Sequence, residues 1–163
     1  PINIYEGGFD GGNHTISGTL NCNVNSNDFI GLFASNAGTI CNLNVSADIT
    51  AQGSISDECT VGGIVAIAHG NATIEYCTYS GEATIKVSSP SYIYAGGIVG
   101  YSNGTTISHC AFSGTLNTTG STGGIVAGGI VGYNAGGAAD NRRESQPWLR
   151  KVGDTSDTCV RHF

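Results

Sequence analysis

Gly96-Gly97-Ile98-Val99-Gly100-Tyr101 is a phrase that this chain repeats. Nearly the same words stand at Gly62-Gly63-Ile64-Val65-Ala66 and at Gly128-Gly129-Ile130-Val131-Gly132-Tyr133, and a looser copy is Gly31-Leu32-Phe33-Ala34. The first glycines of the four copies are 31, 34 and 32 residues apart (31 to 62, 62 to 96, 96 to 128). A second word keeps pace: Thr39-Ile40-Cys41, Thr73-Ile74-Glu75-Tyr76-Cys77, then Thr106-Ile107-Ser108-His109-Cys110. A steady period of this length marks one supersecondary unit repeated, too thin to bury its own apolar side, so that neighbours must stack to form a core.

Each period reads as short strands separated by turns. The turns are Asn/Gly-rich, as at Ser102-Asn103-Gly104, and β-branched Ile, Val and Thr fill the segments between them, where pleated sheet suits them. Three short strands and three corners per period describe one coil of a parallel β-helix, so the expected fold is an all-β solenoid of about four coils over residues 1–137. The variable lengths fall at one corner, residues 52–60, 88–94 and 118–122, where a coil can bulge without disturbing its stack. If Gly-Gly-Ile-Val is one continuous strand, alternation points Ile64, Ile98 and Ile130 inward and Val65, Val99 and Val131 outward. An outward valine column requires that the glycines distort the strand, that a loop covers it, or that another surface packs there.

Composition narrows the classes of function. The 163 residues include 26 glycines but only 3 prolines and no Gly-X-Y period, which excludes collagen. Net charge is -6, and five of the six basic residues (Arg142, Arg143, Arg150, Lys151, Arg161) follow residue 140, so the repeats carry Lys86 alone against eight acids. Such a surface repels phosphate backbones, and no nucleic-acid partner is expected. No apolar run is long enough to span a membrane as a helix. Cys77 and Cys110 hold equivalent places in successive periods, either as a buried column of thiols or as a disulfide between coils. After Gly137 the period fails, and residues 138–163 read as a C-terminal cap, with Trp148 over the last coil, or as a tail.

The opening Phe9-Asp10-Gly11-Gly12-Asn13-His14-Thr15-Ile16-Ser17-Gly18, then Gly31-Leu32-Phe33, then the recurring Gly-Gly-Ile-Val-Gly-Tyr followed by Thr-Ile-x-x-Cys, resemble the GLUG-type repeats of microbial surface proteins. The resemblance covers roughly residues 7–137. It implies a β-helical module like those that form stalks in large modular adhesins and flank the catalytic domains of some immunoglobulin A-cleaving proteases. On that basis the chain is expected to be extracellular or cell-surface, non-enzymatic and cofactor-free. Its implied partners are further copies of itself, end to end or laterally, and a host glycan or protein. The resemblance carries no catalytic residue with it.

Tyr79, Tyr92, Tyr94, Tyr101 and Tyr133 are the side chains expected at a contact surface, because an aromatic ring offers an apolar face with a polar tip. The alternative is a carbohydrate-active enzyme, a lyase or hydrolase, built on the same coil. Its acids would come from Asp57, Glu58, Glu75 and Glu82, and a glycosidase pair must stand about 5 to 9.5 Å apart. The histidines, His14, His69, His109 and His162, have no metal-ligand spacing.

Overall fold

The structure, a computed structural model, describes residues 2, 5–25 and 29–136. The chain winds into four coils of five strands each. The first coil holds Gly8–Asp10 (β1), Thr15–Ile16 (β2), Thr19–Val24 (β3), Phe29–Ile30 (β4) and Phe33–Asn36 (β5). The second holds Thr39–Cys41 (β6), Asn44–Val45 (β7), Asp48–Ser54 (β8), Cys59–Gly62 (β9) and Val65–His69 (β10). The third holds Thr73–Glu75 (β11), Thr78–Tyr79 (β12), Glu82–Ser89 (β13), Tyr92–Gly96 (β14) and Val99–Asn103 (β15). The fourth holds Thr106–Ser108 (β16), Ala111–Phe112 (β17), Thr115–Ser121 (β18), Gly124–Gly128 (β19) and Val131–Asn134 (β20).

Corresponding strands of the four coils pair in parallel, which makes five faces of four strands: β1-β6-β11-β16, β2-β7-β12-β17, β3-β8-β13-β18, β4-β9-β14-β19 and β5-β10-β15-β20. The register follows the sequence period, with Ile40, Ile74 and Ile107 stacked under Phe9, and Val65, Val99 and Val131 stacked under Phe33. This is the parallel β-helix that the repeat predicts. Residues 138–163, with Trp148, lie outside the described residues, so the expectation of a cap or tail is not addressed there.

Two local expectations are corrected. There are five strands per coil rather than three, because each longer strand is broken by an extra corner: Ser17-Gly18 parts β2 from β3, and Gly31-Leu32 parts β4 from β5. The valine column also points inward rather than outward: Val65 and Val99 are buried beside Ile64 and Ile98. The first glycine of each Gly-Gly-Ile ends a strand, and the second glycine with the isoleucine forms a corner. The amides of Ile64 and Val65 both donate to the Ile98 carbonyl, at 3.1 and 2.9 Å, and those of Ile98 and Val99 both donate to Ile130, at 3.1 and 2.9 Å. Two successive amides directed at one oxygen turn the chain, and two successive side chains enter the core. Ile130 and Val131, in the last described coil, are half-buried.

The core is one contiguous column of aliphatic and aromatic side chains. Tyr5, Phe9 and Phe33 cluster at its first end, with ring centroids 5.3 to 6.4 Å apart. Cys77 and Cys110 are the buried thiol column, without a disulfide. Each thiol donates to backbone oxygens, Cys77 to Glu75 at 3.2 Å and Cys110 to Ser108 at 3.3 Å. Hydrogen bonding with the Cys110 thiol, then burial, pushes the Cys77 ionisation far up, so that it stays protonated.

The glycines of the repeat are a packing requirement. A Cβ on Gly63 would collide with the Gly97 carbonyl oxygen and the Tyr79 ring, and one on Gly97 would collide with the Gly129 oxygen and the Phe112 ring. Tyr79 and Phe112 are stacked in register, 6.0 Å apart and 8° from parallel, and fill the room the glycines leave.

Gly97→Ala is therefore expected to destabilise the fold by about 2–3 kcal/mol through overpacking against backbone. Gly8→Ala, where nothing lies within 4 Å, should change stability by less than about 0.5 kcal/mol. Denaturant midpoints of the two variants check both numbers.

Candidate functional site

Along β14 side chains alternate, with Ile93 and Ala95 in the core and Tyr92 and Tyr94 outside. On the neighbouring face Tyr101 of β15 and Tyr133 of β20 are in register. The Gly96-Gly97-Ile98 corner brings these two faces round so sharply that the rings meet. Tyr94 lies 5.8 Å from Tyr101, 5.0 Å from Tyr133 and 6.1 Å from Tyr92, and Tyr101 lies 5.5 Å from Tyr133. One coil earlier the same corner has no aromatic rings. There Thr60, in register with Tyr94, is only 3% exposed although it points away from the core.

Four tyrosines thus form one continuous aromatic surface in the groove between the fourth and fifth faces. Tyr92 is 47% exposed and Tyr133 41%, while Tyr94 and Tyr101 are half-buried between them. Glu58, on the corner before β9, reaches the centre of the cluster: the Tyr94 hydroxyl donates to its Oε1 at 3.3 Å. Burial, then the negative charge of Glu58 and this bond, push the Tyr94 ionisation up to about 12. The cluster is accordingly neutral at its rings, and its carboxylate meets no cationic side chain among the described residues. Lys86, the one described Lys or Arg, stacks with Gln52 and Thr119 on the third face.

Of the five tyrosines singled out from sequence, four come together here. Tyr79 does not. It is fully buried, its hydroxyl donates to the Ala47 carbonyl at 3.0 Å, and it belongs to the core, a correction to its expected place on a contact surface. The structure also exposes an aromatic pair that the sequence reading passed over. Tyr76 and His109 stack at 4.6 Å and 14° on the corner between the first two faces. With Asn42 they form a column of left-handed residues, φ 52 to 53°. Asn42 was the available signal, since asparagine tolerates that conformation best.

The four acids fall in three separate places, with Asp57 and Glu58 adjacent. Glu82 opens β13 and accepts bonds from Thr84 and from Asn117 of the next coil, both at 3.1 Å. Asp57 and Glu58 follow the far end of β8, a seven-residue strand about 20 Å long. Asp57 is spent on the turn, its Oδ1 accepting the Glu58 amide at 2.9 Å, and Glu75 ends β11 on the first face. Glu82 and Glu58 are thus separated by more than glycosidase spacing. Among the described residues no group of three or more His, Cys, Asp and Glu is placed to hold a metal ion.

In a comparison with protein families, the model of the GLUG motif matches residues 91–117, which run from β14 through Tyr101 to β18. No curated protein and no solved structure matches the chain.

Tyr94 predicts an alkaline weakness. Its proton leaves near pH 10.0 in the unfolded chain and near 12 in the folded one. The stabilisation is therefore whole below pH 10 and is lost as pH rises toward 12, and buried Tyr79, also raised, acts in the same direction. The denaturant midpoint of the native protein should fall across that window and fall less in Tyr94→Phe, while ultraviolet titration of Glu58→Gln should show Tyr94 ionising at lower pH.

Proposed function

We propose that this chain is a non-enzymatic, extracellular structural and adhesive module, in which stacked coils hold the Tyr92, Tyr94, Tyr101 and Tyr133 surface rigidly for contact with a glycan or protein. The observation that carries the reading is that two of these rings stay about half exposed although they sit on paired, regular strands. A soluble rod has no structural need for such rings, while a contact surface gains large area at small entropic cost because each has only two side-chain torsions. The GLUG match supports a repeat module, and the dispersed acids do not favour a hydrolytic centre.

The coil ends bear on assembly. Phe9, Ile16 and Leu20 at one end, and Ile125, Ala127 and Ile130 at the other, are apolar and half-buried. Four coils at about 4.8 Å span only roughly 20 Å, so reach depends on more coils in line. End-to-end stacking of copies is one arrangement that covers these edges, and it generates filaments because the contact is heterologous.

A glycan and protein array probed with the native chain, Tyr92→Ala and Tyr133→Ala should show binding that either substitution reduces about five- to tenfold. A parallel reducing-sugar assay on bound glycans should release nothing, and turnover abolished by Glu75→Gln would replace this reading with the enzymatic one. Electron microscopy at high concentration should show rods lengthening with concentration.

A further inference from the structure

Resting on the reading that the tyrosine surface is where the module makes contact, we propose that its partner there is a basic protein segment that places an arginine or lysine against the four rings and Glu58. The ring planes are the first argument. Tyr94 and Tyr101 meet at 66° and Tyr133 is tilted about 35° to each of them, while Tyr92 lies within 13° of Tyr94, so the four rings together form a faceted surface rather than one coplanar shelf on which a row of sugars would lie. The exposed rings of Tyr92 and Tyr133, on either side of the Tyr94 that holds Glu58, suit a compact cation, which gains from a ring's negative face.

Charge is the second argument. The described residues hold seven carboxylates (Glu6, Asp10, Asp48, Asp57, Glu58, Glu75, Glu82) against Lys86. Glu58 is the one whose carboxylate contacts the aromatic cluster, and the bond it accepts from Tyr94 leaves its second oxygen without a hydrogen bond among the described residues. A guanidinium can pair with that oxygen and lie on an exposed ring at once, a combination an ammonium makes less well and a neutral sugar cannot make. The same field disfavours acidic glycans and phosphorylated partners.

The test titrates the whole chain with an arginine-containing hexapeptide and with the same peptide carrying uncharged, nearly isosteric citrulline, following tyrosine emission. A set of neutral oligosaccharides is run in parallel. The arginine peptide should bind saturably, weaken at high salt, and lose at least about fivefold in affinity when arginine becomes citrulline. Glu58→Gln, whose amide still accepts from Tyr94, and Tyr133→Ala should each cost a similar factor, while Glu6→Gln, an exposed acid outside the cluster, should leave affinity unchanged. Equal binding of the two peptides, or an equal loss in Glu6→Gln and Glu58→Gln, overturns the proposal. If oligosaccharides perturb the tyrosines and the peptide does not, the cationic partner falls and the adhesive reading stands. If neither binds, both fall.

Discussion

The fold depends on one constraint: each strand satisfies its backbone by bonding to the strand one coil away, so every side chain lies against its own counterpart about 4.8 Å up or down the axis. Phe9, Ile40, Ile74 and Ile107 are neighbours for that reason, and so are Val65, Val99 and Val131. A residue type that suits a place in one coil suits it in all, which is why the sequence repeats. The same rule stacks what is outside, and it puts Tyr101 over Tyr133 and Tyr76 beside His109.

The glycine word is half of a contact whose other half is the aromatic residue two places after the cysteine of the second word. Gly63 and Gly97 lack the Cβ that would strike the coil below, and the gap is occupied by Tyr79 and Phe112, which arrive from the far side of the coil. Sharp turning at the glycines then has two results. It sends Ile64 and Val65 into the core together, and it brings the outer sides of two faces close enough for Tyr94 and Tyr101 to touch. Packing and the candidate site are therefore products of the same corner.

That dependence explains what was legible. The period, the parallel stack and the inward Ile64 and Ile98 could be read because they rest on spacing and hydrophobicity alone. Five faces could not, since strands such as β7 and β12 have two residues and show no alternation. Alternation alone sends Val65 and Val99 outward, and of the ways out it leaves open the structure shows distortion at the glycines, fixed by two amides sharing one carbonyl of another coil, a relation no local pattern records. Tyr79 reads like its exposed namesakes until Gly63 is seen opposite it. The approach of Glu58 to Tyr94 spans 36 residues and hinges on the loop corner, the least regular part of each period.

Gly63 is completed by the carbonyl of Gly97, and Gly97 by that of Gly129. A junction cut anywhere within a coil would thus set a slot opposite the wrong partner, whereas a cut one full circuit away restores every pairing. Outside the corner that bulges, descendants of such a chain can gain or lose length only in quanta of a whole turn, and duplication of a turn is inherited as a ready-made, correctly mated part.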